Sequence, residues 1–226
     1  MIVNQIVQGG GGGGGGSDTL TIKPMSSGAN ALKGIYPNVN RVEFDMDNKS
    51  QTLPGCSYSA FKTTDAEIVY KNISSTATAA QMAIGDFARQ MPCVKKVDFG
   101  GAAPSGITRW FYQWNYSQDG NTHSGAVTVE NLCLDNLSSN NTGFNAPSTS
   151  SQYYHNFDVY FTGHLRNDIN LTSWTLLNSA SWNRLIDCLY DYSGGTAHTL
   201  TVGSTIIGMI DSTHQATAQA RNWTLA

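Results

Sequence analysis

Residues 67–99, EIVYKNISSTATAAQMAIGDFARQMPCVKKVDF, hold the pattern that predicts the fold. Near each end, two apolar residues stand two positions apart, which is the period of a strand with one face toward a core. Between them, residues 78–91 place apolar side chains on one stripe of a helix, with Thr78 and Gln81 at capping-box spacing. The stripe consists of Ala80, Ala83, Ile84, Phe87, Ala88 and Met91. The stretch therefore predicts one strand–helix–strand unit.

The same kind of apolar pair recurs along the chain. The pairs are Val42/Phe44, Ile68/Tyr70, Val97/Phe99, Val127/Val129, Val159/Phe161 and Leu200/Val202. Their first members are 26, 29, 30, 32 and 41 residues apart, and recurrence at about 20 to 50 residues is typical of stacked repeat units. We therefore predict an α/β repeat fold, in which parallel strands and short helices form a solenoid.

Eight consecutive glycines, Gly9 to Gly16, separate a short apolar peptide from the rest of the chain. A glycine-rich segment of this kind behaves as a flexible tether unless something holds it. We predict an extended N-terminal arm over residues 1–17 that docks on a partner. The docking residues of this arm are Ile2, Val3, Ile6 and Val7. The repeat region is predicted over residues 18–172 and a C-terminal cap over residues 173–226.

Two helices are predicted inside the cap. The first carries a single apolar stripe and follows Ser173 or Ser181 as its N-cap. Its stripe consists of Trp182, Leu185, Ile186 and Leu189. The second is predicted to begin at Ser212, whose hydroxyl caps Gln215 while Gln215 reaches back. It is predicted to end near Asn222, because asparagine tolerates the left-handed conformation of a helix C-terminus.

The final stretch, LTSWTLLNSASWNRLIDCLYDYSGGTAHTLTVGSTIIGMIDSTHQATAQARNWTLA (171–226), carries a more specific pattern. A leucine-containing helix leads through Ser and Gly to a short strand, and a second helix is closed by a turn that ends in tryptophan. The matching residues are Leu185, Ile186 and Leu189 in the helix, Leu200, Val202 and Gly203 in the strand, and Arg221, Asn222 and Trp223 in the turn. The stretch resembles the C-terminal cap of BspA-like leucine-rich repeat proteins, which occur in gut bacteria and in the phages that infect them.

This resemblance implies a leucine-rich-repeat-like solenoid closed by a helical cap. In the family the closing turn reads Lys-Gly-Trp, so Asn222 stands where the family has glycine. Upstream of residue 171 the strands remain, but the Leu-x-x-Leu frame of the family is largely missing, and an irregular solenoid is expected. The opening MIVNQIVQ followed by glycines is similar to the starts of small virion and tail-associated proteins of gut phages.

Composition and charge disfavour several classes of protein. Only 13% of the residues are charged, whereas Ser, Thr and Asn make up 63 of the 226 residues. Because the net charge is −3, no basic field gathers phosphate backbones, and we expect no nucleic-acid partner. No run of about 18 apolar residues exists, so we expect no membrane insertion. The opening MIVNQIVQ has no charged n-region, and we expect it not to be a secretory signal.

The four cysteines, Cys56, Cys93, Cys133 and Cys188, are 37, 40 and 55 residues apart and include no CxxC pair. This spacing fits neither a zinc site nor a small disulfide-rich scaffold. We interpret all four as small apolar core residues.

No catalytic or metal-binding motif stands out. The glycine run is followed by Ser17 and Asp18, whereas a phosphate-binding loop requires a lysine after its glycines. Asp45, Asp47 and Lys49 break a calcium loop at its third ligand position. There is also no HExxH motif, no GxSxG elbow and no outstanding acidic pair. We therefore predict no catalytic residue, no metal site and no cofactor.

Aromatic residues are the most conspicuous candidates for binding. The segment RWFYQWNYS, residues 109–117, carries several rings, and two tyrosines follow later. The candidate residues are Trp110, Tyr112, Trp114, Tyr116, Tyr153 and Tyr154. Such rings stack on sugars or anchor protein contacts, but alternate rings of a strand also fill a core, and the sequence leaves both interpretations open.

These observations predict a non-enzymatic structural or adhesive protein of a phage virion, such as a fibre, decoration or receptor-binding module. Its expected partners are other virion proteins, further copies of itself in a trimer or dimer, and a host-surface glycan or protein. One alternative is a leucine-rich repeat adhesin on a bacterial cell surface. A less favoured alternative is a glycan depolymerase, which would need two or three carboxylates clustered on one face of the solenoid.

Overall fold

The computed structural model describes residues 5–8, 18–23, 31–32, 39–45, 55–56, 66–72, 94–100, 127–135, 137 and 157–226. The strands in these ranges are β1 (Gln5–Gln8), β2 (Asp18–Lys23), β3 (Ala31–Leu32), β4 (Val39–Asp45), β5 (Gly55–Cys56), β6 (Ala66–Lys71), β7 (Val94–Asp98), β8 (Val127–Cys133), β9 (Phe157–Thr162), β10 (Ile169–Asn170), β11 (His198–Thr201) and β12 (Trp223–Leu225). The helices are α1 (Ser179–Asp187), α2 (Ser204–Ile207) and α3 (Ser212–Ala220). The helix expected over residues 78–91 lies outside the described ranges.

The main sheet has seven strands in the order β1-β2-β4-β6-β7-β8-β9. β1 pairs antiparallel with β2, and every later neighbouring pair is parallel. β10, β11 and β12 form a second parallel sheet, and β3 pairs in parallel with β5. The predicted α/β class, with parallel strands and short helices, is confirmed. Each predicted apolar pair also lies within a strand or at its end.

Side chains in the main sheet repeat from strand to strand because the strands are in register. Val97 pairs with Val129, which pairs with Val159, and all three are buried. One row further along, the buried rings of Phe44, Tyr70 and Phe99 stack at centroid separations of 5.4 and 5.6 Å. These distances are close to the spacing of neighbouring strands. Alternating apolar residues therefore build continuous columns inside the protein.

Two left-handed residues, Asn72 and Gly100, lie just beyond strands, and a third, Asn131, lies at a register shift inside β8. Asn72 has φ 52°, Gly100 φ 63° and Asn131 φ 56°. Asn72 donates to the carboxylate of Asp45, and Asn131 donates to that of Asp98, each at 2.8 Å. A Cβ atom on Gly100 would lie 2.7 Å from the carbonyl oxygen of Tyr70, so only glycine fits this turn. The Asp and Asn side chains thus join the turns of successive strands.

A single hydrophobic cluster runs from Phe44 to Trp223 and includes buried residues from both larger sheets and all three helices. α1 packs on β9 through Ser181, whose buried hydroxyl accepts a hydrogen bond from Val159 N at 2.7 Å. The parallel pairing also continues beyond β9 as isolated bridges, from Phe157 to Leu177 and from Leu165 to Leu189. The main sheet and the C-terminal elements therefore share one core.

Two predicted helix caps are wrong. Asn178, not Ser173 or Ser181, caps α1, and its side chain accepts from Ser181 N at 2.8 Å. Ser181 lies inside α1, and its hydroxyl contacts β9 instead of capping the helix. Asp211 caps α3 by accepting from His214 N, and the predicted Ser212–Gln215 capping box does not form.

Other features of the C-terminal helices agree with their predictions. The stripe residues Trp182, Leu185 and Ile186 lie in α1 and are buried. Leu189 is also buried, but α1 ends at Asp187, so Leu189 lies beyond the helix, in the bridge to Leu165. Asn222 has φ 63°, as predicted for the end of the last helix. Gln215 donates its side-chain amide to the carbonyls of Ile207 and Ile210, which joins α3 to the turn that precedes it.

Within the described ranges, every helix falls short of the length and apolar character that a membrane crossing requires.

Candidate functional site

Most of the binding residues singled out from the sequence lie outside the described ranges. These are the arm residues Ile2 and Val3 and the aromatic residues Trp110, Tyr112, Trp114, Tyr116, Tyr153 and Tyr154. Ile6 and Val7 lie in β1, where their backbones pair with Ile22 and Thr21 of β2. The candidate site must therefore come from residues that the sequence analysis did not single out.

Charged side chains cover parts of the main sheet that the core does not occupy. Arg41 of β4 lies 2.9 Å from Glu43 and reaches Glu67 of β6 at 2.8 Å. Lys71 reaches back to Glu43 at 2.7 Å, and Lys96 of β7 pairs with Glu130 of β8 at 2.7 Å. Because each of these charges already has a partner within the sheet, this face is a solvated surface whose charges neutralise one another.

Arg184 of α1 extends this polar face across β9. It donates to Asp158 at 2.6 Å and to the Val159 carbonyl at 3.1 Å, while its guanidinium carbon lies 3.8 Å from the centre of the Tyr160 ring. Burial alone would raise the pKa of Asp158. The hydrogen bonds from Arg184 and Asn178 outweigh burial, so the pKa lies below its usual value. Asp158 is therefore ionised and held in place at neutral pH.

Acid is expected to remove the stabilisation that Asp158 provides. Because the pKa of Asp158 is lower in the folded protein, its contribution is complete above the unfolded value of about 3.9 and is lost as the pH falls through the folded value. Asp158→Asn should cost about 1 kcal/mol in the free energy of unfolding at pH 7, since the pair is partly exposed. Urea unfolding between pH 7 and acid should show this difference shrinking below about pH 4. A difference that stays constant with pH would contradict the assignment.

The described residues contain a second group of aromatic side chains, which we call the C-terminal aromatic cluster. It consists of His164, Arg166, Tyr190, Tyr192, His198 and Trp223. His164 and Arg166 flank the buried Leu165, whose backbone bridges to Leu189 and so sets Tyr190 beside Arg166. The pairing of β11 with β12 places His198 opposite Trp223. Successive parallel segments therefore bring these side chains together.

The rings of the cluster form a continuous series of contacts. Tyr190 and Tyr192 have centroids 4.9 Å apart, Tyr192 and His198 are 4.2 Å apart, and His198 and Trp223 are 5.2 Å apart. Trp223 forms the base of the series, since it is 3% exposed, whereas Tyr190 is 37% exposed. The cluster therefore presents an aromatic surface that rests on the hydrophobic core.

Hydrogen bonds fix the orientation of the rings. The hydroxyl of Tyr192 donates to the carbonyl of Arg166 at 2.9 Å, and the indole N–H of Trp223 donates to the carbonyl of Tyr190 at 2.8 Å. His198 Nδ1 lies 2.9 Å from Asp168 Oδ1. The backbone N–H of Thr199 and then His198 lower the pKa of Asp168. The cluster is thus held in one arrangement before any ligand binds.

One residue of the cluster, His198, is paired with a carboxylate. Asp168 orients His198 as in a general-base pair, but within the described residues no hydroxyl or thiol donates to the other ring nitrogen. No group of three or more potential metal-ligating His, Cys, Asp or Glu side chains occurs there either. Burial raises the pKa of the Cys188 thiol to about 11, so this thiol is protonated at neutral pH.

The prediction that the cysteines are core residues agrees with the two cysteines whose side chains are described. Cys133 is buried, and the half-buried Cys188 packs against the core. Both carry free thiols. Cys93 lies outside the described residues, and only the backbone of Cys56 is described, in β5.

A shallow groove of about 510 Å³ lies next to β12, and Trp223 is one of its lining residues. It is lined by α2, α3 and β12, through residues that include Ile207, Gln215 and Leu225. The lining contains no acidic or basic side chain, so it offers no group for acid–base chemistry.

Comparison with known proteins identifies no relative: no family model, no curated protein and no solved structure matches the chain.

Proposed function

We propose that this chain is a non-enzymatic structural and adhesive module of a virion. Its N-terminal arm, residues 1–17, docks on other virion proteins, and its repeat region faces outward. The C-terminal aromatic cluster is the observation that supports the adhesive part of this proposal. Exposed Tyr190 packs against Tyr192, which packs against buried Trp223, and hydrogen bonds to backbone carbonyls hold the Tyr192 hydroxyl and the Trp223 indole. A rigid aromatic surface of this kind loses little entropy when it binds a partner.

A leucine-rich-repeat-like solenoid is part of this proposal. Six parallel strands follow one another in chain order in the main sheet, their apolar residues stand in columns, and parallel bridges continue into the C-terminal sheet. These features support stacking of similar units, each of which contacts its neighbours. In such an array the last unit needs a cap, and α3 together with β12 would provide it.

The virion assignment draws on the sequence resemblance. Residues 171–226 resemble the caps of leucine-rich repeat proteins found in gut bacteria and their phages, and the glycine-flanked opening is similar to phage virion proteins. A bacterial surface adhesin is the second candidate, because the same resemblance covers bacterial proteins. The location of the protein separates the two.

The location can be tested with antibodies against the full chain. Immunogold labelling and mass spectrometry of purified virus particles are expected to find the protein at a fixed copy number. After deletion of residues 1–16, the circular dichroism spectrum should show that the remaining chain is folded. The shortened chain should no longer be incorporated into particles. Normal incorporation of the shortened chain would refute docking through the arm. Labelling confined to bacterial cell envelopes would refute the virion assignment.

Adhesion can be tested separately with fluorescently labelled full-length protein and intact bacterial cells. Tyr190→Ala should lower cell binding at least about fivefold, since exposed tyrosines are frequent hot spots. Tyr160→Ala is the matched control, because Tyr160 is 42% exposed, also stacks with an arginine and lies on β9 outside the cluster. Equal binding by wild type and Tyr190→Ala would refute adhesion through the cluster.

A further inference from the structure

Among the described residues, two exposed arginine–tyrosine pairs occur, and they differ in how their arginines are used. In the first, the Arg184 guanidinium lies over Tyr160, and its donors are taken by Asp158 and by the carbonyl of Val159. In the second, the guanidinium carbon of Arg166 lies 4.0 Å from the centre of the Tyr190 ring. Within the described residues, no ion pair and no side-chain hydrogen bond engages the Arg166 guanidinium. As far as the described residues go, its donors are therefore open to solvent or to a ligand.

The carboxylates near Arg166 are committed to other partners. Asp168 accepts from Thr199 N and contacts His198, each at 2.9 Å. Asp191, next to Tyr190, accepts from Ser193 N at 2.8 Å. Asp135 accepts from the backbone N–H of His164 at 2.9 Å. None of these carboxylates forms an ion pair with Arg166 in the part of the chain that the structure describes, so a carboxylate from outside can take that place.

The position of Arg166 is fixed before a ligand arrives. Stacking on Tyr190 restricts its side chain, and the hydrogen bond from the Tyr192 hydroxyl to its carbonyl restricts its backbone. A guanidinium held in one plane suits a carboxylate, because both can form two parallel hydrogen bonds. Tyr190 is itself 37% exposed and adds an aromatic side chain next to this guanidinium.

We propose that Arg166 and Tyr190 form a binding subsite for an acidic sugar, whose carboxylate pairs with Arg166 while its C–H groups contact the tyrosine rings. The subsite rests on the proposed adhesive function and specifies its ligand. Hexuronates and sialates share the required chemistry, a carboxylate attached to a pyranose ring. A neutral sugar would leave the Arg166 guanidinium without a partner, and a simple anion would not use the rings.

The test is titration of the full-length protein by isothermal titration calorimetry and ligand-observed NMR. The probes are methyl glucuronide and the methyl glycoside of N-acetylneuraminic acid, with methyl glucoside and acetate as controls. At least one acidic sugar is expected to bind about tenfold or more tightly than either control, because a charge-assisted pair adds to the ring contact. The acidic sugar that binds more tightly then shows whether the carboxylate belongs to a hexuronate or to a sialate.

Variants of the two pairs provide the second part of the test. Arg166→Gln and Tyr190→Ala should each weaken acidic-sugar binding about tenfold, and Arg166→Lys should fall between wild type and Arg166→Gln, since ammonium lacks the planar fork. Tyr160→Ala should bind like wild type. Circular dichroism should show that each variant is folded, and the comparison of ligands on the wild-type chain needs no variant at all.

Three results would overturn the subsite: equal affinity for glucuronide, sialoside and glucoside, equal affinity for acetate, or an Arg166→Gln variant that binds like wild type. These failures differ from a failure of the proposed function. If Tyr190→Ala reduces adhesion to cells but no acidic sugar is preferred, only the subsite is wrong. If acidic sugars bind as expected but the protein is missing from purified particles, only the virion assignment is wrong.

Discussion

Replacing Trp223 by alanine is expected to lower the free energy of unfolding by about 3 to 5 kcal/mol. The ring is 3% exposed and packs against His198 and Tyr192, with centroids 5.2 and 6.2 Å away. Its indole N–H also donates to the carbonyl of Tyr190. The substitution therefore leaves a cavity under the aromatic cluster and an unpaired carbonyl. It also weakens the attachment of β12, the last strand of its sheet.

Urea unfolding followed by circular dichroism measures this loss. Trp223→Phe is the control, because it keeps most of the apolar volume and removes the indole N–H, and it should cost about 1 to 2 kcal/mol. A loss below about 0.5 kcal/mol for Trp223→Ala would mean that β12 is not docked in solution. Since Trp223 packs against Tyr192 and His198, the Trp223→Ala variant should also lower the affinity for any ligand that the cluster binds.

The strands are the part of the fold that the sequence predicts well. Each predicted pair of apolar residues, such as Val127 and Val129, lies in or at the end of a strand. The reason is physical: only one face of each strand meets the core, so burial imposes alternation on the sequence. The pairing of the strands is predictable only in part. Repeated strand–helix units favour parallel neighbours in chain order, and this holds from β4 to β9, but β11 pairs with β10 and β12 instead of with β9.

The helix caps show where local reasoning fails. Serine and aspartate are both good N-caps, so at Asp211-Ser212 the sequence alone could not rank them. Ser181 is a plausible cap by sequence, but in the structure its hydroxyl contacts β9. A side chain that satisfies backbone groups of a distant strand cannot also cap its own helix. Tertiary contacts of this kind leave no signal in the neighbouring residues.

The C-terminal aromatic cluster was missed for a related reason. The aromatic residues at 109–117 form one continuous segment, whereas the members of the cluster are far apart in sequence. The hydrogen bond from Trp223 to Tyr190 spans 33 residues, and that from Tyr192 to Arg166 spans 26. These separations are similar to the spacing of the predicted repeats.

Tyr70→Ala is expected to be the most damaging change in the main sheet, with a loss of about 4 to 5 kcal/mol in the free energy of unfolding. The Tyr70 side chain is fully buried, and its ring stacks between Phe44 of β4 and Phe99 at the end of β7. Its removal separates the two outer rings and opens a cavity in the middle of the column. Neighbouring strands cannot close that gap, because their backbones are held by the parallel pairing on both sides of β6.

Urea unfolding provides the measurement, with Tyr70→Phe as the control that keeps the ring and is expected to lose less than half as much. Combining Tyr70→Ala with Trp223→Ala then tests the continuity of the core. The two sites lie in different sheets, and among the described residues the Tyr70 and Trp223 rings have separate ring partners, so their losses should add within about 0.5 kcal/mol if the chain unfolds as one unit. Two separate unfolding transitions, each shifted by only one of the substitutions, would show instead that the main sheet and the C-terminal elements unfold independently despite their shared core.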